Sequence, residues 1–269
     1  MKQSVHLSGV AETTMVPLYA RALESKKKNH AFYDSAAVRI VDSLDYNFEK
    51  HGGSKLNMWG CAARTLAFDE EADRFLQSNP TCSVINLAAG LDDRFSRVDN
   101  GVLEWYNIDL EPVMELRNQL IPPEYRVTNI AASILDNSWI DQISYTDNVL
   151  IIAEGILMYL KEEDIKAMFD RFARSFKKVT LLIEVMHTWM VDHQKMHDTT
   201  KQTGVTFTWG LDSTEAFTKL CPSYKLVREH NFTDGMKRFS PVLLSIIGPI
   251  LRRRNNRMGY FELVRPESD

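Results

Sequence analysis

Ser83-Val84-Ile85-Asn86-Leu87-Ala88-Ala89-Gly90-Leu91-Asp92-Asp93-Arg94 reads as a buried strand that runs into a small-residue turn, followed at once by two acids and an arginine. A backbone without bulky side chains at Ala88-Ala89-Gly90 can come close to a ligand. The second apolar run, Glu104-Trp105-Tyr106-Asn107-Ile108-Asp109, ends in a carboxylate 19 residues after Gly90. Open α/β sheets hold a nucleoside in this way, with the acid at the end of the second strand taking the ribose hydroxyls.

Outward from this pair the strand pattern repeats. Apolar runs at 82–88, 103–108, 125–129, 148–153 and 179–185 predict strands, with helical or loop segments between them. The helix at 165–176 puts Ile165, Met168, Phe169, Phe172 and Phe176 on one stripe behind the acid-rich start Lys161-Glu162-Glu163-Asp164. This alternation implies an α/β fold with a mostly parallel sheet covered on both faces. Residues 1–78 read as a helical lid, with Asp34-Ser35 as a cap, a break at His51-Gly52-Gly53-Ser54 and a helix at 58–76 carrying Arg64. Residues 79–186 read as the cofactor-binding core and 187–220 as a polar, helical cap insertion. Residues 221–269 complete the sheet with strands at 226–229 and 260–264 and a Ser240-Pro241-capped helix at 242–251, giving one structural domain overall.

A chain of 269 residues with a formal charge of −4 and pI near 6 is large enough for a sizeable core and is not built around a nucleic-acid surface. The runs Lys26-Lys27-Lys28 and Arg252-Arg253-Arg254 read as solvated faces. Cys61, Cys82 and Cys221 form neither a disulfide framework nor a zinc pattern, and Cys82 reads as a small buried hydrophobe. There is no signal-peptide core and no apolar window of membrane-spanning length, so the expectation is a cytoplasmic protein. Its expected partner is a small molecule, not a nucleic acid or a membrane, and its oligomeric state is not legible.

The turn lacks the second and third glycines of a dinucleotide fingerprint, and its acids would repel a pyrophosphate. A cationic nucleoside without phosphate fits better, and S-adenosylmethionine is one. Asp109 otherwise reads as a strand-end carboxylate capping a turn. Glu154, between the strand Ile151-Ile152-Ala153 and Gly155, stands where such sheets place ligands, or else caps a helix. Arg64, in an apolar helical stretch, needs a buried partner: a ligand carboxylate, or Asp69 or Glu70.

Three segments, Leu87 to Arg94, Asp109-Leu110-Glu111-Pro112-Val113 and Glu154-Gly155-Ile156-Leu157-Met158-Tyr159-Leu160, together resemble the signatures of the leucine carboxyl methyltransferase family. The likeness is closest to its bacterial branch of tetracenomycin-type polyketide O-methyltransferases. Arg64-Thr65 with Phe68-Asp69 resembles that family's arginine motif. The resemblance implies a class I methyltransferase fold, a seven-strand Rossmann-like sheet, and S-adenosylmethionine as cofactor. It implies that Arg64 holds the methionine carboxylate, Gly90 lies under the methionine portion, Asp109 binds the ribose and Glu154 the amino end. It further implies that Ser133 and Ile134 take the adenine position and that Tyr159 joins the cofactor-binding set. Ala88, Asp93 and Ser133 depart from the family's usual glycine, threonine and aspartate.

The implied reaction is in-line methyl transfer to a carboxylate or phenol of a small molecule. A carboxylate is already ionised and needs no base, whereas a phenol would use one, and His187 after the fifth strand is the candidate. His193 and His197 are four apart but lack a third acid, so no metal site is expected. Trp189-Met190 and Phe207-Thr208-Trp209-Gly210 read as pocket lining or as core. A nicotinamide-dependent oxidoreductase and a non-catalytic S-adenosylmethionine-binding regulator remain as alternatives.

Overall fold

The computed structural model describes residues 3–5, 7–51, 54–144, 147–196 and 198–265. Seven strands form one sheet: β1 Ser83–Leu87, β2 Glu104–Asp109, β3 Val127–Ala131, β4 Asn148–Ala153, β5 Lys178–Val185, β6 Tyr224–Asn231 and β7 Arg257–Leu263. Their order is β3-β2-β1-β4-β5-β7-β6, with the first five parallel, β7 antiparallel to β5 and β6 antiparallel to β7. The order reverses between β1 and β4, so the crevice at the carboxyl ends of those strands is the natural ligand position.

The helices are α1 Met15–Ser25, α2 Ser35–Ser43, α3 Lys55–Ser78, α4 Arg94–Val98, α5 Glu111–Leu120, α6 Glu162–Ser175, α7 Thr188–Asp192, α8 Asp198–Thr203, α9 Glu215–Leu220, α10 Phe232–Met236 and α11 Pro241–Arg252. Strand residues alternate between the two faces as a period of two requires. Ile85, Leu87 and Ile151 pack with Ile165, Met168, Phe169 and Phe172 of α6 on one side. Val84, Leu150 and Ile152 pack with Phe68, Ala72 and Phe75 of α3 and with Leu244 of α11 on the other. Each of the four α6 side chains is fully buried, which contributes about 1.5–3 kcal/mol apiece. A third cluster joins Met15 and Leu18 of α1 to Ala37 and Ile40 of α2, and reaches Leu91 beyond the small-residue turn. The N-terminal helices are thereby seated on the carboxyl end of the sheet.

Polar side chains also fix the sheet. Asn86, Asn107 and Asn129 are direct partners on β1, β2 and β3. Asn86 Nδ2 donates to Asn107 Oδ1 at 3.3 Å, Asn107 Nδ2 to Asn129 Oδ1 at 2.9 Å, and Asn129 Nδ2 to Asn118 Oδ1 at 2.7 Å. The Trp105 indole also donates to Asn107 Oδ1, at 2.8 Å.

Asp34 caps α2 as expected, its Oδ1 accepting from the Ala37 amide at 2.8 Å. Ser54 caps α3, which begins earlier than the expected 58, while Gly52 and Gly53 lie outside the described residues. Three expectations need correction. The third strand is Val127–Ala131, not 125–129, because Tyr125 is fully exposed and precedes the pairing with β2. Residues 1–78 are not uniformly helical: Gly9–Thr14 is a 3₁₀ turn, and Gln3–Ser4 pairs in parallel with Leu44–Asp45. The 187–220 segment is helical only in short pieces, and residues 204–214 run irregularly. There the Thr208 and Trp209 amides bond to Met158 O and the Leu211 amide to Met186 O, so tertiary partners replace helical ones.

Candidate functional site

A cavity of about 590 Å³ opens at the carboxyl ends of β1, β2 and β4, within the ~300–1,000 Å³ range of ligand pockets. Its floor is the small-residue turn. Ala88 and Gly90 both adopt left-handed backbone, with φ of 51° and 54°. For Ala88 that conformation costs about 1–2 kcal/mol, and it is the only non-glycine residue to adopt it among the described residues. Gly90 has a second constraint: a β-carbon there would lie 2.3 Å from Thr14 Oγ1. Thr14 ends the 3₁₀ turn ahead of α1 and accepts from the Leu91 amide at 3.1 Å, so the N-terminal segment is latched onto the turn.

Asp109 is buried at the end of β2. Its Oδ2 accepts from the Gly90 amide and its Oδ1 from the Leu110 amide, both at 2.7 Å. One contact per oxygen leaves lone pairs on both, facing a cavity that Asp109 lines. Burial pushes its carboxyl above the usual range, against the pull of the two amides. Its role as a turn cap is thus real, and leaves acceptor capacity to spare.

Arg64 and Glu154 come together. Arg64 Nε donates to Glu154 Oε1 at 2.7 Å and its Nη1 to Glu184 Oε2 at 3.0 Å, while its Nη2 makes no hydrogen bond among the described residues. Of the alternative partners of Arg64, Asp69 serves Arg94 and Arg97, and Glu70 is exposed to solvent. Nor does Glu154 cap a helix: its second oxygen accepts from Arg94 Nη2 at 2.6 Å. Burial pushes the Glu154 carboxyl up, but Arg64 and Arg94 hold it below the usual range. Glu184 on β5 also accepts from the Gly155 amide at 2.8 Å and from Asn256 Nδ2 at 2.9 Å.

Sequence reasoning missed the network behind these two. Arg94 Nε reaches Asp69 Oδ1 at 2.6 Å, and its Nη1 lies 2.9 Å from Asp92 Oδ2, an ion pair whose angle falls short of a hydrogen bond. Arg97 binds Asp69, Asp92 and Asp34, and Arg21 binds Asp34 at 2.8 Å. Arg117 donates to the carbonyls of Gly90 at 3.1 Å and Asp92 at 2.7 Å, which ties the turn to α5. Burial pushes the Asp92 carboxyl up, yet Arg94, Arg97 and Arg21 bring it well below its ordinary value. The available signal was the pair of arginines three apart in the short α4, interleaved with Phe95 and Val98.

Among the charged side chains lining the cavity, Arg21, Arg64 and Arg94 face Asp92, Asp109, Glu154 and Glu184, an excess of one negative charge. Ser133 and Ile134 line the same cavity, with Ser133 Oγ accepting from the Leu135 amide at 3.3 Å. Tyr159 lines it too, and burial pushes its hydroxyl up to about 12, so it stays protonated.

His187 is set apart from the other candidates. It caps α7, with Nδ1 accepting from the Trp189 amide at 3.0 Å, and it is not among the residues lining the cavity. Burial lowers its pKa, consistent with the neutral ring that this acceptor role requires. His193 lines the cavity instead, stacked on Trp189 at 4.4 Å between ring centroids. Its Nδ1 lies 2.9 Å from the Trp189 carbonyl. A carbonyl can only accept, so Nδ1 donates to it, and Nε2 makes no hydrogen bond among the described residues. Trp189, Met190 and Phe207 line the cavity, whereas Trp209 belongs to the core. His197 lies outside the described residues.

The model of the family described as leucine carboxyl methyltransferase matches residues 14–173. The tetracenomycin polyketide synthesis O-methyltransferase TcmP of Streptomyces glaucescens is 29% identical over 236 residues, covering 87% of each chain. The S-adenosyl-L-methionine-dependent methyltransferase dpfgK of Gibberella zeae is 26% identical over 256 residues, covering 86% of this chain and 85% of that protein. In fold, the chain resembles the crystal structure of a methyltransferase from Thermobifida fusca, with a TM-score of 0.64 at 12% identity over 96% of both chains. The seven-strand sheet with its reversed strand order is the fold of a class I methyltransferase, and the chain belongs to the leucine carboxyl methyltransferase family.

Proposed function

We propose that the protein is an S-adenosylmethionine-dependent O-methyltransferase acting on a carboxylate or phenol of a small, largely apolar molecule. The observation that carries this reading is the charge of the cavity. Its one-unit negative excess suits a ligand with a sulfonium, an ammonium and one carboxylate, and opposes a dinucleotide diphosphate. The regulator reading finds no support in a cavity that continues past the turn to Met158, Met186, Phe207 and Trp189.

Asp109 receives the ribose hydroxyls on its unused lone pairs, and Ser133 and Ile134 border the adenine. Arg64 offers its free Nη2 to the methionine carboxylate. Glu154 offers the remaining lone pairs of its two oxygens to the ammonium. Ala88 and Gly90 hold the backbone close under the methionine portion, and Thr14 shuts that end from water. The cofactor supplies a methyl group on a sulfonium, transferred in line to an acceptor oxygen. The protein's share in the reaction is alignment, since the acceptor end is walled by flexible methionines and aromatic rings that exclude water.

The acceptor end also holds His193, which lines the cavity where His187 does not and takes its place as the candidate base. For a phenol, Nε2 of His193 takes the proton as the oxygen attacks; for a carboxylate it has no proton to take.

Calorimetry with S-adenosylmethionine and S-adenosylhomocysteine tests the cofactor assignment: micromolar binding is expected for both, and Asp109→Ala should abolish it. Binding of a nicotinamide dinucleotide in their place would overturn it. Acceptors sharing one skeleton but bearing either a phenol or a carboxylate test the other half. His193→Gln should lower kcat only on the phenol; equal rates on both would remove His193 from the chemistry.

A further inference from the structure

The cavity does not account for the outer face of α11. Val242, Ile246 and Ile250 are 76, 72 and 68% exposed, and Leu243, Pro241 and Pro249 are exposed beside them. Spacings of four put the first three on one stripe. The opposite side of the helix is anchored, with Leu244 and Gly248 buried and Ile247 and Leu251 packed on the core. A stripe of branched aliphatic side chains is therefore held rigidly toward solvent, at a cost in exposed apolar surface that an ordinary monomer avoids.

The charge around that stripe is the second observation. Residues 232–256 carry five cations, Lys237, Arg238, Arg252, Arg253 and Arg254, against the single carboxylate Asp234, a local charge of +4 in a chain of net −4. Asp234 is shared by Arg252 and Lys237, at 3.0 and 3.3 Å. Arg238 and Arg253 have no carboxylate partner among the described residues, and Arg254 sits 4.9 Å from the centre of the Trp189 ring. The cations bracket the stripe at both ends of an ~18 Å helix.

We propose that α11 docks the protein on an anionic lipid surface, with Val242, Ile246 and Ile250 entering the headgroup boundary and the flanking arginines and lysines meeting lipid phosphates. An apolar helical stripe framed by basic residues binds such surfaces in the plane of the interface. A second copy of this chain would bring like charges face to face across a two-fold axis. A protein partner would be expected to find an aromatic or polar anchor, and the stripe offers only Ser245 among its aliphatic residues. This mode needs no spanning segment and is compatible with the absence of any described helix long and apolar enough to cross a membrane. It also gives the Arg252-Arg253-Arg254 run a task beyond that of a solvated turn. Leu251 and Asn255, which follow the stripe, line the cavity, so docking sets the acceptor end beside the bilayer, where an apolar acceptor would partition.

The test is co-sedimentation of the full chain with phosphatidylcholine vesicles, with and without phosphatidylglycerol, across a salt series. The expected result is binding only to the phosphatidylglycerol vesicles, declining with salt. Arg253→Gln should weaken it about fivefold, the share of one cation near such a surface. Ile246→Glu should abolish it while leaving the melting temperature and the binding of S-adenosylmethionine unchanged. No vesicle binding, or binding that Ile246→Glu leaves intact, overturns the proposal. So does a concentration-dependent dimer in light scattering that Ile246→Glu dissolves, or retention on polyglutamate without retention on vesicles.

Discussion

The contact between Thr14 and Gly90 can be measured as a coupling energy. In Gly90→Ala, the new methyl meets two separate obstacles. The left-handed φ of 54° costs an alanine about 1–2 kcal/mol wherever its side chain points. The β-carbon would also stand 2.3 Å from Thr14 Oγ1, so the latch must lift and its bond to the Leu91 amide, now 3.1 Å, is lost for about 1 kcal/mol. The single variant should therefore lose about 2–3 kcal/mol of stability. Thr14→Ala alone loses the bond only, about 1 kcal/mol. With Thr14 already shortened, Gly90→Ala adds only the backbone strain, and the double variant should also lose about 2–3 kcal/mol in total. The singles then exceed the double by about 1 kcal/mol, well outside the few tenths expected of independent sites. Urea unfolding of the four proteins at constant m-value reads this directly. Strict additivity would refute the placement of the N-terminal segment on the turn, whatever the single variants do.

Three further outcomes follow from the same site. Arg94→Met keeps the packing on Phe68 but strips a buried cation from Asp69, Asp92 and Glu154. Since each of these carboxylates keeps another arginine, the loss should fall near the low end of the ~3–5 kcal/mol typical of broken buried pairs, read by urea unfolding. Ala88→Gly relieves a left-handed alanine but adds freedom to the unfolded chain, so its stability should stay level or rise by up to about 1 kcal/mol, whereas Ala88→Val should fall; a loss in Ala88→Gly would contradict the assigned φ. The depressed carboxyls of Asp92 and Glu154 set the acid limb: their contribution is complete above the unfolded carboxylate range, about pH 4, and is lost as the pH falls through the lower folded values. Melting temperature against pH should thus drop steeply below that range, and a flat profile down to pH 3 would count against the network.

What could be read from residues alone divides along physical lines. Strand positions were legible because period and apolar run length are local, and the errors, such as 125–129 for Val127–Ala131, are slips of boundary. Gly90 and Asp109 were legible because a turn followed by a strand-end acid is a spacing, whereas Ser133 and Ile134, which also line the cavity, were reached only through the family resemblance. The arginine network was not. Arg94 meets partners 25 and 60 residues away, and only the fold brings Asp69 and Glu154 to it. His187 shows a similar limit. Its place after β5 suggested chemistry, but a histidine ahead of a helix can spend its lone pair on the first turn, and here it does. His193 was noticed only for its spacing to His197, although its distance of four from Trp189 on a helical stretch was the more telling one.

The asparagine row across β1, β2 and β3 bears on how the chain reaches this structure. Parallel strands are joined by long crossovers, and loop length alone does little to reject a pairing displaced by one or two residues. Here a pairing of the first two strands displaced by one or two residues would set Asn107 beside Val84, Ile85, Leu87 or Ala88 in place of its amide partner, at about 1–3 kcal/mol for each stranded group. The correct alignment alone satisfies the row from Asn86 to Asn118, so misaligned sheets are unstable enough to dissolve and try again. The amides act as a proofreading device for assembly, in a sheet whose apolar side chains would tolerate many alignments.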